Sequence, residues 1–230
     1  MKKINVSECF YSIQGEGQTM GIPAIFLRLA KCNLLCKGKG WICDSIEVWQ
    51  KGVRTDFNDV LSEDMIKHIK QGAHLVITGG EPLLHSKAIE YFLEWLNDVK
   101  NINPIVEIET NGTIMPTEYL LNRVNYWNCS PKLSSSGETL MRRFKPLVLE
   151  TLNNYNSIFK FVISFKEDFV ELISDYIDLI DDDKVYLMPA GSNQLELNEK
   201  RLMVLKLCKE HTLKYSERLH VVAWNLKTGV

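Results

Sequence analysis

Short apolar segments alternate with amphipathic segments along most of the chain, and the two patterns predict different elements. Apolar and β-branched runs predict strands, which we place at residues 24–30, 74–78, 105–109, 126–129, 157–165, 185–188 and 218–223. Apolar residues at helical spacing predict helices, which we place at residues 62–71, 86–100, 116–123, 138–154, 168–180 and 199–210. Strands that alternate with helices are typical of α/β proteins, in which helices cover a parallel sheet.

Further signals mark the ends and faces of these helices. Ser62 can cap the helix at residues 62–71, and Gly72 stands where helices commonly end. We expect Pro146 to bend or split the helix at residues 138–154, because proline disturbs a helix interior. The helix at residues 168–180 should bury one face, formed by Phe169, Leu172, Ile173, Tyr176 and Ile177.

The alternation amounts to about six βα units, which we expect to form one domain over residues 1–230. A closed barrel needs eight such units. The sequence therefore predicts an α/β fold with a partial, open parallel βα barrel. Active sites in open parallel sheets lie at the carboxyl ends of the strands. Because the polar motifs of this chain directly follow predicted strands, we expect them to meet at one site.

Composition narrows the function classes. Apolar residues make up 45% of the chain and charged residues 24%, which is typical of a globular protein. The 27 Lys and Arg residues nearly balance the 29 Asp and Glu residues, so we expect no direct nucleic-acid partner. No run approaches the ~18 apolar residues of a membrane span. The first residues do not resemble a secretory signal, so we expect a cytoplasmic protein without membrane contact.

Three of the six cysteines, Cys32, Cys36 and Cys43, lie close together in the sequence. In a reducing cytosol, such clustering indicates metal binding rather than disulfides. Three thiolates can ligate three irons of a 4Fe–4S cluster and leave the fourth iron free. A structural zinc site needs four ligands, so this pattern alone leaves both metals open. A fourth zinc ligand could come from His74, His85 or Cys9. The expected small buried hydrophobes are Cys9, Cys129 and Cys208.

The segment Thr78-Gly79-Gly80-Glu81-Pro82 follows a predicted strand. Glycines at the end of a strand let the backbone approach a ligand closely, and a carboxylate beside them can bind an α-amino group. An ordinary turn is the alternative, because Gly and Pro mark turns in many proteins.

Taken together, these motifs resemble the radical S-adenosylmethionine (SAM) superfamily, which has a three-cysteine loop after the first strand and Gly-Gly-Glu-Pro after the second. Further segments narrow the resemblance to the 7-carboxy-7-deazaguanine synthase family. They are Phe10-Tyr11-Ser12-Ile13-Gln14-Gly15-Glu16-Gly17, Arg28-Leu29-Ala30 before Cys32-Asn33-Leu34, Glu109-Thr110-Asn111-Gly112-Thr113, Ser130-Pro131-Lys132 and, more loosely, Tyr186-Leu187-Met188-Pro189-Ala190-Gly191. The resemblance covers nearly the whole chain in the right order.

The chain departs from the family pattern at two places. The family commonly spaces its ligands as Cys-x3-Cys-x2-Cys, whereas this chain has Cys-x3-Cys-x6-Cys. We interpret the difference as a four-residue insertion, such as residues 37–40, which must fold back as a bulge. The second departure is Ser45, where the family usually has threonine. Serine keeps the hydroxyl group, so a metal-ligand role survives.

The resemblance implies a partial barrel of the radical SAM type and a lyase reaction. The implied reaction converts 6-carboxy-5,6,7,8-tetrahydropterin, a small-molecule substrate, to 7-carboxy-7-deazaguanine with loss of ammonia. An electron from the 4Fe–4S cluster cleaves SAM to methionine and a 5′-deoxyadenosyl radical, and the family also needs Mg²⁺. An electron donor such as flavodoxin and a homodimer are implied as well. The product would enter 7-deazapurine biosynthesis of the queuosine type.

The resemblance also implies roles for individual residues, none of them as a catalytic side chain. The cluster ligands would be Cys32, Cys36 and Cys43, and the Mg²⁺ ligand would be Ser45. The substrate residues would be Ile13, Gln14, Gly15, Glu16, Arg28 and Thr78. The SAM residues would be Gly80, Glu81, Glu109, Ser130, Pro131, Lys132, Met188, Pro189 and Ala190. In some members the C-terminus closes on the substrate, which would involve Val230 here.

Three of these residues also have a rationale from their own chemistry. Arg28 ends an apolar strand, where a buried cation needs an anion, and its guanidinium suits a substrate carboxylate. Gln14 and Glu16 flank glycines in a loop and could bind the donor and acceptor edge of a pterin. The alternatives are a solvated arginine and a plain turn. His220, in the predicted closing strand, is expected to be structural.

Two other functions remain open from the sequence. One is another radical SAM enzyme, such as an activase that makes a glycyl radical on a partner protein. Turnover of the carboxypterin without a protein partner would separate that enzyme from the family function. The other is a non-catalytic zinc or iron–sulfur module, which would not bind SAM.

Overall fold

The structure, a computed structural model, describes residues 2–227 and 229 and contains one nine-stranded sheet in that part of the chain. The strands follow the spatial order β3-β1-β2-β4-β5-β6-β7-β8-β9. They are β1 (Lys3–Ile13), β2 (Pro23–Leu29), β3 (Val53–Asp56), β4 (His74–Gly79), β5 (Val106–Thr110), β6 (Tyr126–Cys129), β7 (Ser157–Ile163), β8 (Val185–Pro189) and β9 (Lys214–Tyr215).

Helices connect the strands, and two of them begin at signals that the sequence shows. They are α1 (Ile46–Trp49), α2 (Phe57–Val60), α3 (Glu63–Lys70), α4 (Ser86–Asp98), α5 (Glu118–Arg123), α6 (Leu140–Arg143), α7 (Pro146–Asn153), α8 (Lys166–Asp175), α9 (Gln194–His211) and α10 (Leu219–Trp224). Ser62 caps α3, since its Oγ accepts a hydrogen bond of 3.2 Å from the backbone N–H of Met65. Pro146 begins α7, so it divides the predicted helix at residues 138–154 as expected.

Strands β2 and β4 to β9 are parallel to one another. Strand β1 is antiparallel to both of its neighbours, β2 and β3. Strands β3 and β9 end the sheet and do not pair with each other within the described residues. The sheet is therefore open, and the predicted partial parallel barrel is confirmed.

One apolar core fills the space between the sheet and its helices. Leu75, Ile77, Ile108, Trp127 and Phe161 project from four adjacent parallel strands and are all 0% exposed. Burial of each Leu or Ile side chain stabilises the fold by about 1.5–3 kcal/mol. This core holds the strand ends, and hence the residues that follow them, in fixed relative positions.

The structure corrects several predictions. Residues 218–223 do not form a strand, because Leu219–Trp224 is helix α10 and the last strand is β9. Ile173 does not belong to the buried face of α8, since it is 41% exposed. Helix α9 begins at Gln194 instead of residue 199, because the Asn193 side chain caps it there. Strands β1 and β3 had no predicted counterpart. No helix in the described part of the chain has the length and apolar character needed to cross a bilayer.

Candidate functional site

A cavity of about 870 Å³ opens at the carboxyl ends of the parallel strands. Arg28, Thr78, Glu109, Lys160 and Met188 reach it from five strands of the sheet, β2, β4, β5, β7 and β8. A cavity of this volume is within the usual range for small-molecule sites. All predicted site residues line it except Glu81 and Pro131, which are both buried behind its wall. The sequence motifs therefore meet at one site.

The three clustered cysteines lie on one wall of this cavity. Cys36 is 6% exposed, and Cys32 and Cys43 are half-buried. Burial is the main cause that raises the pKa of Cys36 to about 11; the cation of Lys132 opposes this shift, and the neighbouring thiols add to it. Burial also raises the pKa of Cys32. Such thiols gain from a cationic metal centre, because metal binding stabilises the thiolate form.

The donor set of this wall fits a cluster better than a single metal ion. Among the described residues, no three His, Cys, Asp or Glu side chains come together around one point where they could hold an ion. A structural zinc site needs four such converging ligands. In a 4Fe–4S cluster each thiolate binds a different iron, so the thiols can stand further apart. Cys32, Cys36 and Cys43 are thus the residues that could hold a cluster.

The lengthened loop between Cys36 and Cys43 folds back as a small hairpin. Lys37 and Ile42 form an antiparallel bridge, and the N–H of Gly38 donates to the carbonyl of Trp41 across 3.1 Å. At its base, the N–H of Cys43 donates to the carbonyl of Cys36 across 3.0 Å. The added residues therefore form the turn of this hairpin, and the two cysteines stay adjacent at its base, as the predicted bulge requires.

Close packing explains both glycines of this hairpin. A Cβ atom on Gly38 would lie 1.9 Å from the carbonyl oxygen of Ser135, and one on Gly40 would lie 2.8 Å from Ser164 Oγ. Gly40 also donates its N–H to the Ser135 carbonyl at 3.2 Å. The glycines let the hairpin lie directly on the loop after β6, where Trp41 comes to face the cavity.

The Gly79–Gly80 pair brings two backbone segments together. A Cβ atom on Gly79 would lie 2.2 Å from the carbonyl oxygen of Leu29, and one on Gly80 would lie 2.2 Å from that of Lys31. The N–H of Glu81 donates to the carbonyl of Lys31 across 2.9 Å. Because Lys31 precedes the first cysteine, this motif holds the start of the cysteine loop against β4.

The Glu81 side chain is 0% exposed and does not reach the cavity. Its carboxylate accepts hydrogen bonds from Thr110 Oγ1 at 2.9 Å and from the N–H groups of Asn111 at 2.7 Å and Leu83 at 3.0 Å. Burial raises the pKa of Glu81, although these hydrogen bonds oppose the shift. The carboxylate thus ties the turns after β4 and β5 together.

A chain of polar groups joins the N-terminal motif to the strand ends. Gln14 is 2% exposed, and its Nε2 donates to Glu107 at 2.8 Å and to Glu109 at 3.1 Å. Thr78 Oγ1 donates to Glu109 at 2.7 Å, and Thr19 Oγ1 donates to Glu107 at 2.7 Å. Gln14 is therefore a fixed part of the cavity wall, not a residue of an unattached loop.

An ionic cluster forms another part of the cavity wall. Glu16 forms ion pairs with Lys160 and with Arg218 Nε at 3.0 Å, and His220 Nε2 lies 3.9 Å from its carboxylate. Arg218 also pairs with Asp44. Burial raises the pKa of Glu16, but Lys160 and Arg218 outweigh it and hold that pKa far below its usual value. Arg218 likewise overcomes burial and lowers the pKa of Asp44 to about 2.

Two cations face the cavity from other positions. Arg28 Nε donates to Glu8 Oε1 at 2.7 Å, so this arginine has an anionic partner on β1. Lys132 Nζ donates to Ser130 Oγ at 2.9 Å and lies 5.4 Å from the ring centre of Trp41. Ser45 Oγ donates to Asp44 at 2.9 Å.

Four residues of the site were missed by the sequence analysis: Glu107, Lys160, Trp41 and Arg218. Lys160 is the single charge of an otherwise apolar strand, and Glu107 lies between two apolar residues of β5. A buried charge in a strand needs a partner. That signal could have found them. Arg218 lay in a segment with the wrong predicted structure, and Val230 lies outside the described residues.

Comparisons with known proteins identify relatives of the whole chain. Residues 13–124 match a family model described as a 4Fe-4S single cluster domain. The chain is 33% identical to 7-carboxy-7-deazaguanine synthase of Halobacterium salinarum, over 96% of this chain and 90% of the relative. It is 31% identical to the protein of that name from Pyrobaculum aerophilum, over 99% and 97%. The Aquifex aeolicus protein is 33% identical over 94% and 92%.

A solved structure has the same fold. It is the crystal structure of QueE from Escherichia coli, which matches with a TM-score of 0.67 over 96% of each chain. The identity between the two sequences is 24%, so this likeness concerns the fold.

Proposed function

The chain belongs to the 7-carboxy-7-deazaguanine synthase family, and on that premise we propose that it converts 6-carboxy-5,6,7,8-tetrahydropterin to 7-carboxy-7-deazaguanine with loss of ammonia. One observation carries the proposal. A single cavity is lined by three buried or half-buried thiols and also by arginine, amide and carboxylate groups. When bound, the 4Fe–4S cluster and SAM supply the radical that starts the reaction.

The substrate wall suits an anionic pterin. Arg28 is the residue for the substrate carboxylate, since Glu8 occupies its Nε and a guanidinium has further donors in a planar fork. Gln14 and Thr78 face the cavity with positions fixed by Glu107 and Glu109. Ile13, Gly15 and Glu16 complete this wall, with the Glu16 carboxylate fixed by its cations. Fixed donors orient a substrate at low entropic cost.

We assign SAM to the part of the cavity between the cysteine loop and the end of β8, which we call the SAM side. Ser130, Lys132, Met188, Pro189 and Ala190 line the cavity there, as do Gly80 and Glu109. Lys132 carries a cation that suits the carboxylate of an amino acid. Glu81 and Pro131 support this wall from behind, because neither reaches the cavity.

Other parts of the proposal rest on donor chemistry and on the family resemblance. The Ser45 hydroxyl is an oxygen donor of the kind that Mg²⁺ prefers, and it lies at the cavity edge beside Asp44. Three thiols kept for a cluster need a reducing compartment such as the cytoplasm. A one-electron donor such as flavodoxin, a homodimer and a single domain are proposed from the family resemblance.

Anaerobic reconstitution tests the function directly. The protein is loaded with iron and sulfide, reduced, and given SAM, Mg²⁺ and 6-carboxytetrahydropterin, and the product is identified by mass and ultraviolet spectrum. We expect 7-carboxy-7-deazaguanine in repeated turnovers. A cluster that cleaves SAM without forming this product would assign the chain to different radical chemistry, such as that of an activase. Failure to assemble any cluster would contradict the proposal as a whole.

A further inference from the structure

Arg218 occupies an unusual position at the edge of the cavity. Its side chain is 14% exposed, and each of its three nitrogens binds a different segment of the chain. Nε donates to Glu16 Oε1 at 3.0 Å, Nη2 donates to Asp44 Oδ2, and Nη1 donates to the backbone carbonyl of Gly191.

The three segments belong to three walls of the cavity. Glu16 follows Gln14 in the N-terminal motif, which lines the substrate side. Asp44 stands between Cys43 and Ser45, at the end of the cysteine loop. Gly191 follows Ala190 after β8. One guanidinium group thus connects the substrate wall, the cluster wall and the end of β8.

The dependence on Arg218 differs between these partners. Glu16 also pairs with Lys160, which is held in the core by β7. Asp44 has no other cation within 4 Å among residues 2–227 and 229, and its remaining contact is the 2.9 Å hydrogen bond from Ser45. The end of the cysteine loop therefore depends on Arg218 for its ionic link to the substrate wall.

We propose that Arg218 is a positioning residue that fixes the distance between the cysteine loop, through Asp44, and the substrate loop, through Glu16. The inference rests on the proposed function and adds a residue to it. In a radical reaction the reacting carbon must lie at one place relative to SAM, and a shift of about 1 Å can cost about 100-fold in rate. Arg218 supplies this geometry without touching the reacting atoms.

Arginine is specifically suited to this position. A planar guanidinium offers several donors in fixed directions, so it can bind two carboxylates and a carbonyl at the same time. A lysine keeps the charge but has one small donor group on a pliable stem. Arg218→Lys should therefore preserve the charge balance of the cavity and lose the three-way connection.

The test compares Arg218→Lys with a matched control, Arg201→Lys. Arg201 Nε pairs with Glu217 at 2.7 Å, a similar ion pair that lies outside the cavity lining. For Arg218→Lys we expect kcat to fall by about 10–100-fold, as for other residues that orient the groups of a site through hydrogen bonds. We also expect more 5′-deoxyadenosine to be released per molecule of product. A smaller folded fraction would not change the ratio of 5′-deoxyadenosine to product. This ratio therefore distinguishes a loss of positioning from a loss of stability.

A second measurement needs no turnover. Hydrogen exchange of the cluster-loaded protein, without SAM or substrate, should become faster in the peptides that cover residues 14–19 and 37–45. Exchange in helix α3 should stay unchanged, and Arg201→Lys should match the wild type in both peptides. Unchanged exchange in the Arg218→Lys protein would overturn the proposal even if its activity fell.

Asp44→Asn removes the ion pair between Arg218 and Asp44 and keeps the pair between Arg218 and Glu16. It therefore tests the same connection if the Arg218→Lys protein does not fold. If both residues act through one contact, the double variant should be no slower than Arg218→Lys alone. Penalties that multiply would overturn the proposal. If the wild-type protein formed no 7-carboxy-7-deazaguanine, the proposed function would fail, whereas the exchange data would still decide whether Arg218 holds the two loops.

Discussion

The two walls of the cavity are built in opposite ways. The cluster wall comes from one continuous segment, in which a local hairpin joins Cys36 to Cys43 and Cys32 precedes it. The ionic wall is assembled from distant segments, since Glu16 pairs with Lys160 across 144 positions and with Arg218 across 202 positions. Both walls meet at one cavity only because the parallel sheet brings its strand ends together.

The two walls therefore depend on different features of the sequence. A ligand loop depends on residue types and spacing over a short range, so its chemistry can be removed without unfolding the protein. A long-range ionic wall contributes to both stability and geometry, because its charges are buried or half-buried and need their partners. Substitutions on the cluster wall should therefore remove cluster binding without unfolding the protein, whereas substitutions on the ionic wall should lower the free energy of unfolding.

Cys43→Ala gives the largest expected effect and tests the local character of the cluster wall. The variant should fold normally but bind no complete cluster, because two protein thiolates remain where three are needed. We expect no turnover above background. Iron and sulfide content after anaerobic reconstitution, with an electron paramagnetic resonance spectrum of the reduced protein, measures the result.

Cys208→Ala is the control for this experiment. Cys208 is 7% exposed on α9 and lies outside the cavity lining, so its replacement should keep the full cluster. A Cys43→Ala protein that kept its cluster and cleaved SAM would overturn the ligand assignment.

Lys160→Met tests the ionic wall through stability. Loss of one partner of a buried ion pair costs about 3–5 kcal/mol, and we expect about 3 kcal/mol at neutral pH because Arg218 still faces Glu16. Urea unfolding measures this change in the free energy of unfolding. Lys166→Met, which replaces an exposed lysine on α8, should leave stability unchanged.

The pH dependence sharpens this prediction. Glu16 has a folded pKa below its usual value, so its pairing stabilises the wild type above the unfolded pKa and is lost as the pH falls through the folded pKa. The difference between Lys160→Met and wild type should therefore shrink toward acid pH, where Glu16 becomes protonated. A difference that stays constant with pH would show that Glu16 is not the partner that matters.

The same contrast explains what the sequence could and could not predict. The cysteine loop, the Thr78–Pro82 turn and the Ser130–Lys132 segment directly follow strands that were predicted correctly, so their positions at the cavity follow from topology. The pairing of Arg218 and Lys160 with Glu16 could not be predicted in this way. Their roles depend on partners that only the folded chain brings near.

Helix α10 shows how tertiary contacts override local preference. Leu219, Val221 and Val222 gave the segment an apolar, β-branched pattern typical of a strand. In the fold, the N–H of Leu219 donates to the Gly15 carbonyl at 2.9 Å, and Arg218 is held by its ionic partners. Only Val221 is buried, while Val222 is 38% exposed. Contacts to the N-terminal motif therefore decide the conformation of this segment.

Arg28→Ala tests whether Arg28 on the substrate wall binds the carboxypterin without affecting SAM binding. Loss of a charged hydrogen bond costs about 1.5–3 kcal/mol, so affinity for the carboxypterin should fall about 10–100-fold while SAM affinity stays unchanged. Equilibrium binding of each ligand to the cluster-loaded protein measures both. Arg54→Ala, an exposed arginine on β3, is the control. Unchanged carboxypterin affinity would remove Arg28 from the site.

Trp41→Leu gives the smallest expected effect and tests whether the inserted hairpin reaches across to the SAM side. The Trp41 ring lies 5.4 Å from Lys132 Nζ, and a cation–π contact of this kind contributes about 0.5–1 kcal/mol at a partly exposed site. SAM affinity should therefore fall by about two- to fivefold, and Trp41→Phe should recover part of the loss because its ring keeps a weaker π face. Tyr186→Leu removes a contact of equal length, to Lys214 outside the cavity, and should leave SAM binding unchanged. Equal SAM affinity in the Leu and wild-type proteins would mean that the hairpin serves the cluster wall alone and does not contribute to the SAM side of the cavity.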